Sequence, residues 1–250
     1  MPEKKISRRD LLGFAGLGAL GLGAVALGID MIASRGGGEK AEGGGMITVY
    51  TFGDSILDCG HYNDYGVHPG QLVVRNDDRL FPEFEGKDLA SRSEARLEHR
   101  AVDGATVDGL QSQARGLKVN AQAVAVLTIG GNDLLRGLVT DDGSGIRRFA
   151  QTLEAFLKQL PIRPVFVGNV YDPSFGDDTR NFLGVDPKLA RENHRRINFV
   201  LAEMGSKYGA LVDLHAHFLK GDPSWYTYTI EPSLTGASEV RRAFLSHILP

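Results

Sequence analysis

Cysteine is almost absent: Cys59 stands alone among 250 residues. A single thiol forms no internal disulfide framework and no cysteine-based zinc ribbon. Excess positive charge is also missing. The 28 Lys and Arg face 31 Asp and Glu, a net charge of −3, whereas a nucleic-acid-binding domain is normally clearly basic. No internal repeat is visible. What is present is apolar material, 42% of the chain, enough for a sizeable core and against wholesale disorder. The length suits one ordinary domain with a little left over.

The surplus sits at the N-terminus, where residues 1–45 hold 12 of the 32 glycines. Lys4, Lys5, Arg8 and Arg9 precede a run of 19 uncharged residues, Leu11 to Ile29. A basic segment before an apolar one reads as an export signal. The stretch Ser7-Arg8-Arg9-Asp10-Leu11-Leu12 resembles the twin-arginine signal, which addresses a chain to machinery that moves folded proteins. A plain membrane anchor is the other reading, since about 20 apolar residues span a bilayer. Residues 1–33 are therefore expected to be a signal or anchor and residues 34–45 a Gly-rich linker. Residues 46–250 form the folded domain, placed outside the cytoplasm.

In that domain, short apolar runs alternate with helical patterns. Strands are expected over 46–52, 95–102, 123–129, 165–170 and 210–214. Helices are expected over 106–115, 146–160, 187–207 and 233–249, with Asp186 capping the third ahead of Pro187. The alternation predicts an open, mostly parallel, five-stranded α/β sandwich. Such sheets bind ligands beyond the carboxyl ends of their strands.

Three strand ends carry suggestive residues. Gly53-Asp54-Ser55 follows the first strand, Asp103-Gly104-Ala105-Thr106 the second and Gly130-Gly131-Asn132-Asp133 the third. A serine after a glycine turn exposes a hydroxyl, which acts as a nucleophile once a base activates it. Gly104 allows close main-chain approach to a substrate. The Asn132 amide is able to donate to a developing oxyanion. Each motif alone is weak; their succession after three strands is far more specific.

In these residues the chain resembles the SGNH, or GDSL, hydrolases over roughly residues 46–250. The resemblance implies a flavodoxin-like three-layer α/β/α fold and metal-free, cofactor-free hydrolysis of acyl or acetyl esters. It assigns Ser55 as nucleophile, and the Ser55 N–H, the Gly104 N–H and the Asn132 side chain as oxyanion hole. The family's Asp-x-x-His-Pro motif does not fit. Its place reads Tyr228-Thr229-Ile230-Glu231-Pro232, so Glu231 stands where histidine is expected and Tyr228 where aspartate is.

A displaced base is then expected. Asp64-Tyr65-Gly66-Val67-His68-Pro69 holds a similar motif in the loop after Ser55. This reading makes His68 the base, with Glu231 or Asp64 orienting it, because a triad depends on geometry and not on chain order. His61 is a second candidate. Two other functions fit the same residues. One is a catalytically degenerate protein that binds surface glycans. The other is a metal-dependent phosphoesterase using Asp54, Asp58, His61, Asp64 and His68. The partners expected are a glycan, lipid or small-molecule ester and the twin-arginine export machinery.

Overall fold

The computed structural model describes residues 45–249. The signal or anchor expected over 1–33, and the linker as far as residue 44, lie outside the described residues. Five strands form one sheet: β1 (Ile47–Gly53), β2 (Ala95–His99), β3 (Ala123–Thr128), β4 (Val165–Gly168) and β5 (Gly209–Val212). Their order is β2-β1-β3-β4-β5 and every neighbouring pair is parallel. This is the flavodoxin-like doubly wound order, in which the chain reverses its winding between β1 and β3 and opens a crevice there.

The sequence pattern explains the sheet's position. All seven residues of β1 are buried, as expected for a central parallel strand covered on both faces. Tyr50 and Phe52 point to the face covered by α4 (Ser144–Gln159) and α5 (Pro187–Tyr208), among Phe149, Leu153, Phe156 and Ile197. The Phe52 and Phe156 rings meet edge to face at 5.6 Å. Burying each such side chain contributes about 1.5–3 kcal/mol. The alternate residue Thr51 faces α1 (Pro69–Val74), and Gly168 in β4 leaves room for Phe244 of α7 (Leu234–Ile248). The three layers and the five strands follow the sequence reading. Asp186 caps α5 as expected, accepting from the Leu189 N–H at 2.8 Å.

Several shorter elements differ from expectation. Strand β2 ends at His99, although the Arg100 and Val102 N–H groups still donate to the Thr51 and Gly53 carbonyls. The helix expected over 106–115 divides into a 3-10 turn, Val107–Gly109, and one α-turn, α2 (Leu110–Gln113). The Gly-Gly-Asn-Asp segment is not a simple turn. It opens α3 (Gly131–Leu135), started by Gly130 at φ +111°. Further elements were unforeseen, among them α1 (Pro69–Val74), α6 (Leu214–Phe218) and a small hairpin of β6 (Tyr226–Thr227) and β7 (Glu231–Pro232). Among the described residues no helix is long and apolar enough to cross a membrane.

Candidate active site

The end of β1 is built to tolerances only glycine meets. Gly53 pairs in register with Thr128 of β3 and has φ +121°. A Cβ there would lie 1.6 Å from the Thr128 carbonyl oxygen. Gln113 clamps the same residue from both sides: the Gly53 N–H donates to its Oε1, and its Nε2 donates to the Gly53 carbonyl, each at 2.8 Å. The chain turns out of the sheet here, at the β1/β3 switch point, and carries Ser55 to the floor of a cleft.

Asp54 lies under that turn, 1% exposed. Its Oδ1 accepts from the Thr128 hydroxyl at 2.8 Å and the Ile56 N–H at 3.2 Å. Burial pushes its ionisation up to about 7 in spite of these bonds, helped by the nearby Glu231 and Asp133 carboxyls. Asp54 therefore fixes the loop that presents Ser55.

The neighbouring strand ends are tied together around Asn132. Asp133 accepts from the Val107 N–H at 3.2 Å, and the Arg136 guanidinium donates to the Gly104 carbonyl at 2.9 Å. Gly104 adopts φ +72°, a conformation that favours glycine. These contacts hold the turn after β2 against α3. Among the described residues, the main-chain N–H groups of Ser55 and Gly104 and the Asn132 side chain donate to no other protein group.

Glu231 arrives from the opposite side, on β7. The Tyr171 hydroxyl anchors this hairpin by donating to the Ile230 carbonyl at 2.6 Å. The connecting turn is strained, with Tyr228 at φ +45° and Thr229 at φ +74°. A positive φ is a marked outlier for a β-branched residue, and such strain clusters at functional sites. Burial raises the Glu231 ionisation, and the neighbouring Ser55 side chain opposes that rise. The Glu231 Oε2 is buried without a partner.

Ser55, Asn132 and Glu231 thus line one cleft, together with Asp54. Gly104 stands beside it, behind Arg136, and does not line it. His68 is carried elsewhere. Pro69 starts α1, which packs on the sheet, and the residue before it enters that interface. The His68 ring packs at a tilt against His99, with centroids 4.1 Å apart, and lies over Gly70. His99 in turn bonds the Thr51 hydroxyl at 2.7 Å and Asp58 at 3.2 Å. Burial pulls the His68 ionisation down to about 4, and its Nδ1 has no partner. Asp64 is exposed on a turn organised by Asn63 and bonds neither Ser55 nor His68. The expected His68–Asp64 unit is therefore not assembled at the serine, because chain proximity to Ser55 is overridden by the packing of α1.

His61 is exposed and meets Asp103 at 3.2 Å, with the Tyr62 hydroxyl on the same carboxylate oxygen. Among the described residues no three His, Cys, Asp or Glu side chains converge as a metal site. Asp54 and Asp58, from the loop considered for that role, are engaged by Thr128 and by His99. Sequence reasoning missed His194 and Arg191, which line the cleft from α5. His194 bonds the Val170 carbonyl at 2.9 Å and Arg191 pairs with Asp172 at 3.0 Å. Only the fold brings these residues to the cleft; nothing in their local sequence marks them.

The GDSL-like lipase/acylhydrolase family model matches residues 51–237, from inside β1 into α7. Solved structures share the fold at low identity. An acetylxylan esterase from Geobacillus stearothermophilus is 17% identical, with 82% of this chain and 94% of that one covered and a TM-score of 0.57. A lipase from a goat rumen metagenome is 16% identical, with 80% and 97% covered and a TM-score of 0.59. An α/β hydrolase enzyme from the Lake Arreo metagenome is 21% identical, with 81% and 94% covered and a TM-score of 0.56. Comparison with curated proteins gives no match. The doubly wound fold with a serine turn at its switch point defines an α/β ester hydrolase. The chain belongs to the GDSL-like lipase/acylhydrolase family.

Proposed function

We propose that this chain hydrolyses carboxylic esters through Ser55, with Glu231 as the base in the position where the family is expected to hold histidine. The observation that carries this reading is that Ser55 and Glu231 line the same cleft, with the Glu231 Oε2 buried and unpartnered. Ser55 Oγ attacks the acyl carbonyl while the Glu231 carboxylate takes its proton. The free donors at Ser55 and Asn132 hold the oxyanion, and each such donor contributes about 2.7–4 kcal/mol. Glu231 then protonates the leaving alcohol. In the second half, water attacks the acyl-enzyme and gives a proton to Glu231, the bond from the acyl carbon to Ser55 Oγ breaks, Glu231 returns the proton to Oγ, and the acid departs.

The test combines turnover of an activated acetate ester with labelling by a fluorophosphonate. Wild type is expected to hydrolyse the ester and to be labelled, Ser55→Ala to do neither, and Glu231→Gln to lose most of both. Absence of labelling in a folded wild-type chain overturns the reading and leaves the surface-glycan binder in its place. Equal turnover in Glu231→Gln removes Glu231 from the chemistry.

We also propose that residues 1–33 export the chain by the twin-arginine route, supported by the Arg8-Arg9 pair before the apolar run. Replacing both with lysine is expected to retain the protein in the cytoplasm; unchanged export overturns it.

A further inference from the structure

We infer that the outer edge of β2 pairs with the same edge of a second copy of this chain, antiparallel and centred on Leu97. The inference goes beyond the ester-hydrolase reading and does not depend on it. Strand β2 ends the sheet order, with β1 on one side and no strand on the other. The Ile47 N–H donates to the Glu94 carbonyl and the Arg100 N–H to the Thr51 carbonyl. Even-numbered residues therefore turn their main-chain groups to β1, and those of Ala95, Leu97 and His99 point outward. Among the described residues these outward groups bond no other segment. A row of free N–H and C=O groups is a template for another strand.

The side chains say which strand fits. Glu94, Arg96, Glu98 and Arg100 alternate in sign along one face. A twofold axis through Leu97 sets Arg96 against Glu98 of the second copy and Glu94 against its Arg100, so every charged pair across the edge unites opposite signs. Sliding the second copy by two residues sets Arg96 against Arg96 in one direction and Glu98 against Glu98 in the other. Like charges directly opposite are destabilising, so the charges select a single register. In that register Leu97 faces Leu97 as a hydrogen-bonded pair, and Arg96 and Glu98 take the closer, non-hydrogen-bonded positions. Within one chain the Glu98 carboxylate stands 3.9 Å from Arg96 and 3.7 Å from Arg100. These loose contacts leave each group free for a second partner. On the other face Leu97 lies over Gly70 of α1, only partly buried, and meets its own counterpart at the axis. Charges on an edge strand ordinarily keep other strands away; alternation in sign removes that protection toward the chain's own copy. Such a contact uses the same patch on both copies and closes at two.

The experiment measures the mass of the full chain by sedimentation in mild detergent, over a series of protein concentrations. Wild type is expected to sediment at twice the mass of one chain. Arg96→Glu and Glu98→Arg each place like charges opposite one another at both central pairs, and each is expected to raise the dissociation constant at least about tenfold. The double variant Arg96→Glu/Glu98→Arg restores opposite signs and is expected to return to within about threefold of wild type. An equimolar mixture of the two single variants is expected to pair for the same reason, because each copy supplies the sign the other lacks. Both side chains are partly exposed, at 43% and 35%, and circular dichroism checks that the variants fold. A monomeric wild type overturns the inference, as does pairing that neither single variant weakens. Recovery in the double variant or in the mixture supports it; recovery in neither overturns it. No step reads ester turnover, so failure of the hydrolase reading leaves this test standing.

Discussion

Two acids flank Ser55, and they differ in what their oxygens do. Asp54 is wholly buried and spends its Oδ1 on the Thr128 hydroxyl and the Ile56 N–H. Glu231 is only half enclosed, faces the serine hydroxyl and keeps an oxygen unpartnered. Both have raised ionisation because burial penalises the charged form. The comparison teaches that a perturbed carboxyl at an active site is not by itself a catalytic one. The bonded acid holds the backbone, and the unbonded acid has proton-accepting capacity to spare.

The sharpest way to break this comparison is to neutralise each acid in turn. Glu231→Gln retains the shape and the hairpin but removes the base. The expected loss in kcat is about 10²–10⁴-fold, with little change in melting temperature. In wild type, kcat/KM is expected to rise with pH through an ionisation above the ordinary glutamate value of 4.5, since only the carboxylate accepts the proton. Asp54→Ala is expected to show the reverse balance. It leaves the buried Thr128 and Ile56 donors unsatisfied, at a cost of about 1–3 kcal/mol each. Urea denaturation would register this first, with activity falling because Ser55 is no longer held. Equal stability losses in the two variants would erase the distinction.

A second contrast concerns pH. Asp54 ionises near 7 when folded and near 3.8 in its ordinary state. The folded chain thus binds more protons across that window, so this group's stabilising contribution is present at about pH 4 and is lost as pH rises toward 7. Asp133, raised to about 6, acts in the same direction. His68 acts in the opposite one. Its ionisation falls from 6.5 to about 4, so its contribution is present above pH 6.5 and is lost as pH falls toward 4. Thermal melts of Asp54→Asn between pH 4 and 7 are expected to show steeper loss of stability on acidification than wild type. An unchanged profile would mean that Asp54 is not desolvated as the structure has it.

The architecture was legible because it depends on repeated local signals. Apolar runs such as 123–129 and the capped helix from Pro187 announce a parallel sheet with helical cover. The serine and asparagine motifs were legible because each stands close after the end of a strand. The placement of a base was not, since it depends on which face the post-Ser55 loop packs against. Pro69 signals a helix start, but nothing local says that α1 carries His68 against His99. Glu231 was visible as a departure from the family motif and was assigned an orienting part. Its proximity to the serine hydroxyl became apparent only through the strained 228–229 turn and the Tyr171 anchor. Of the other cleft residues, Arg191 and His194 come from the interior of a long helix whose pattern reports core packing and not chemistry.

The smallest expected effect belongs to His68→Phe, and it discriminates between the two proposed bases. A phenyl ring is somewhat larger than the buried imidazole but retains an aromatic contact with His99, while deleting an Nδ1 that has no partner. Removing an unsatisfied buried polar atom is neutral or stabilising, within about 1 kcal/mol. Ester turnover is expected to stay within about twofold of wild type, against the hundredfold or greater loss expected for a base. The variant should also lose less stability than wild type between pH 6.5 and 4, because the imidazole that resists protonation there is gone. A large fall in turnover with the fold intact would return the proton transfer to the imidazole, and would require α1 to leave the sheet to bring it to Ser55.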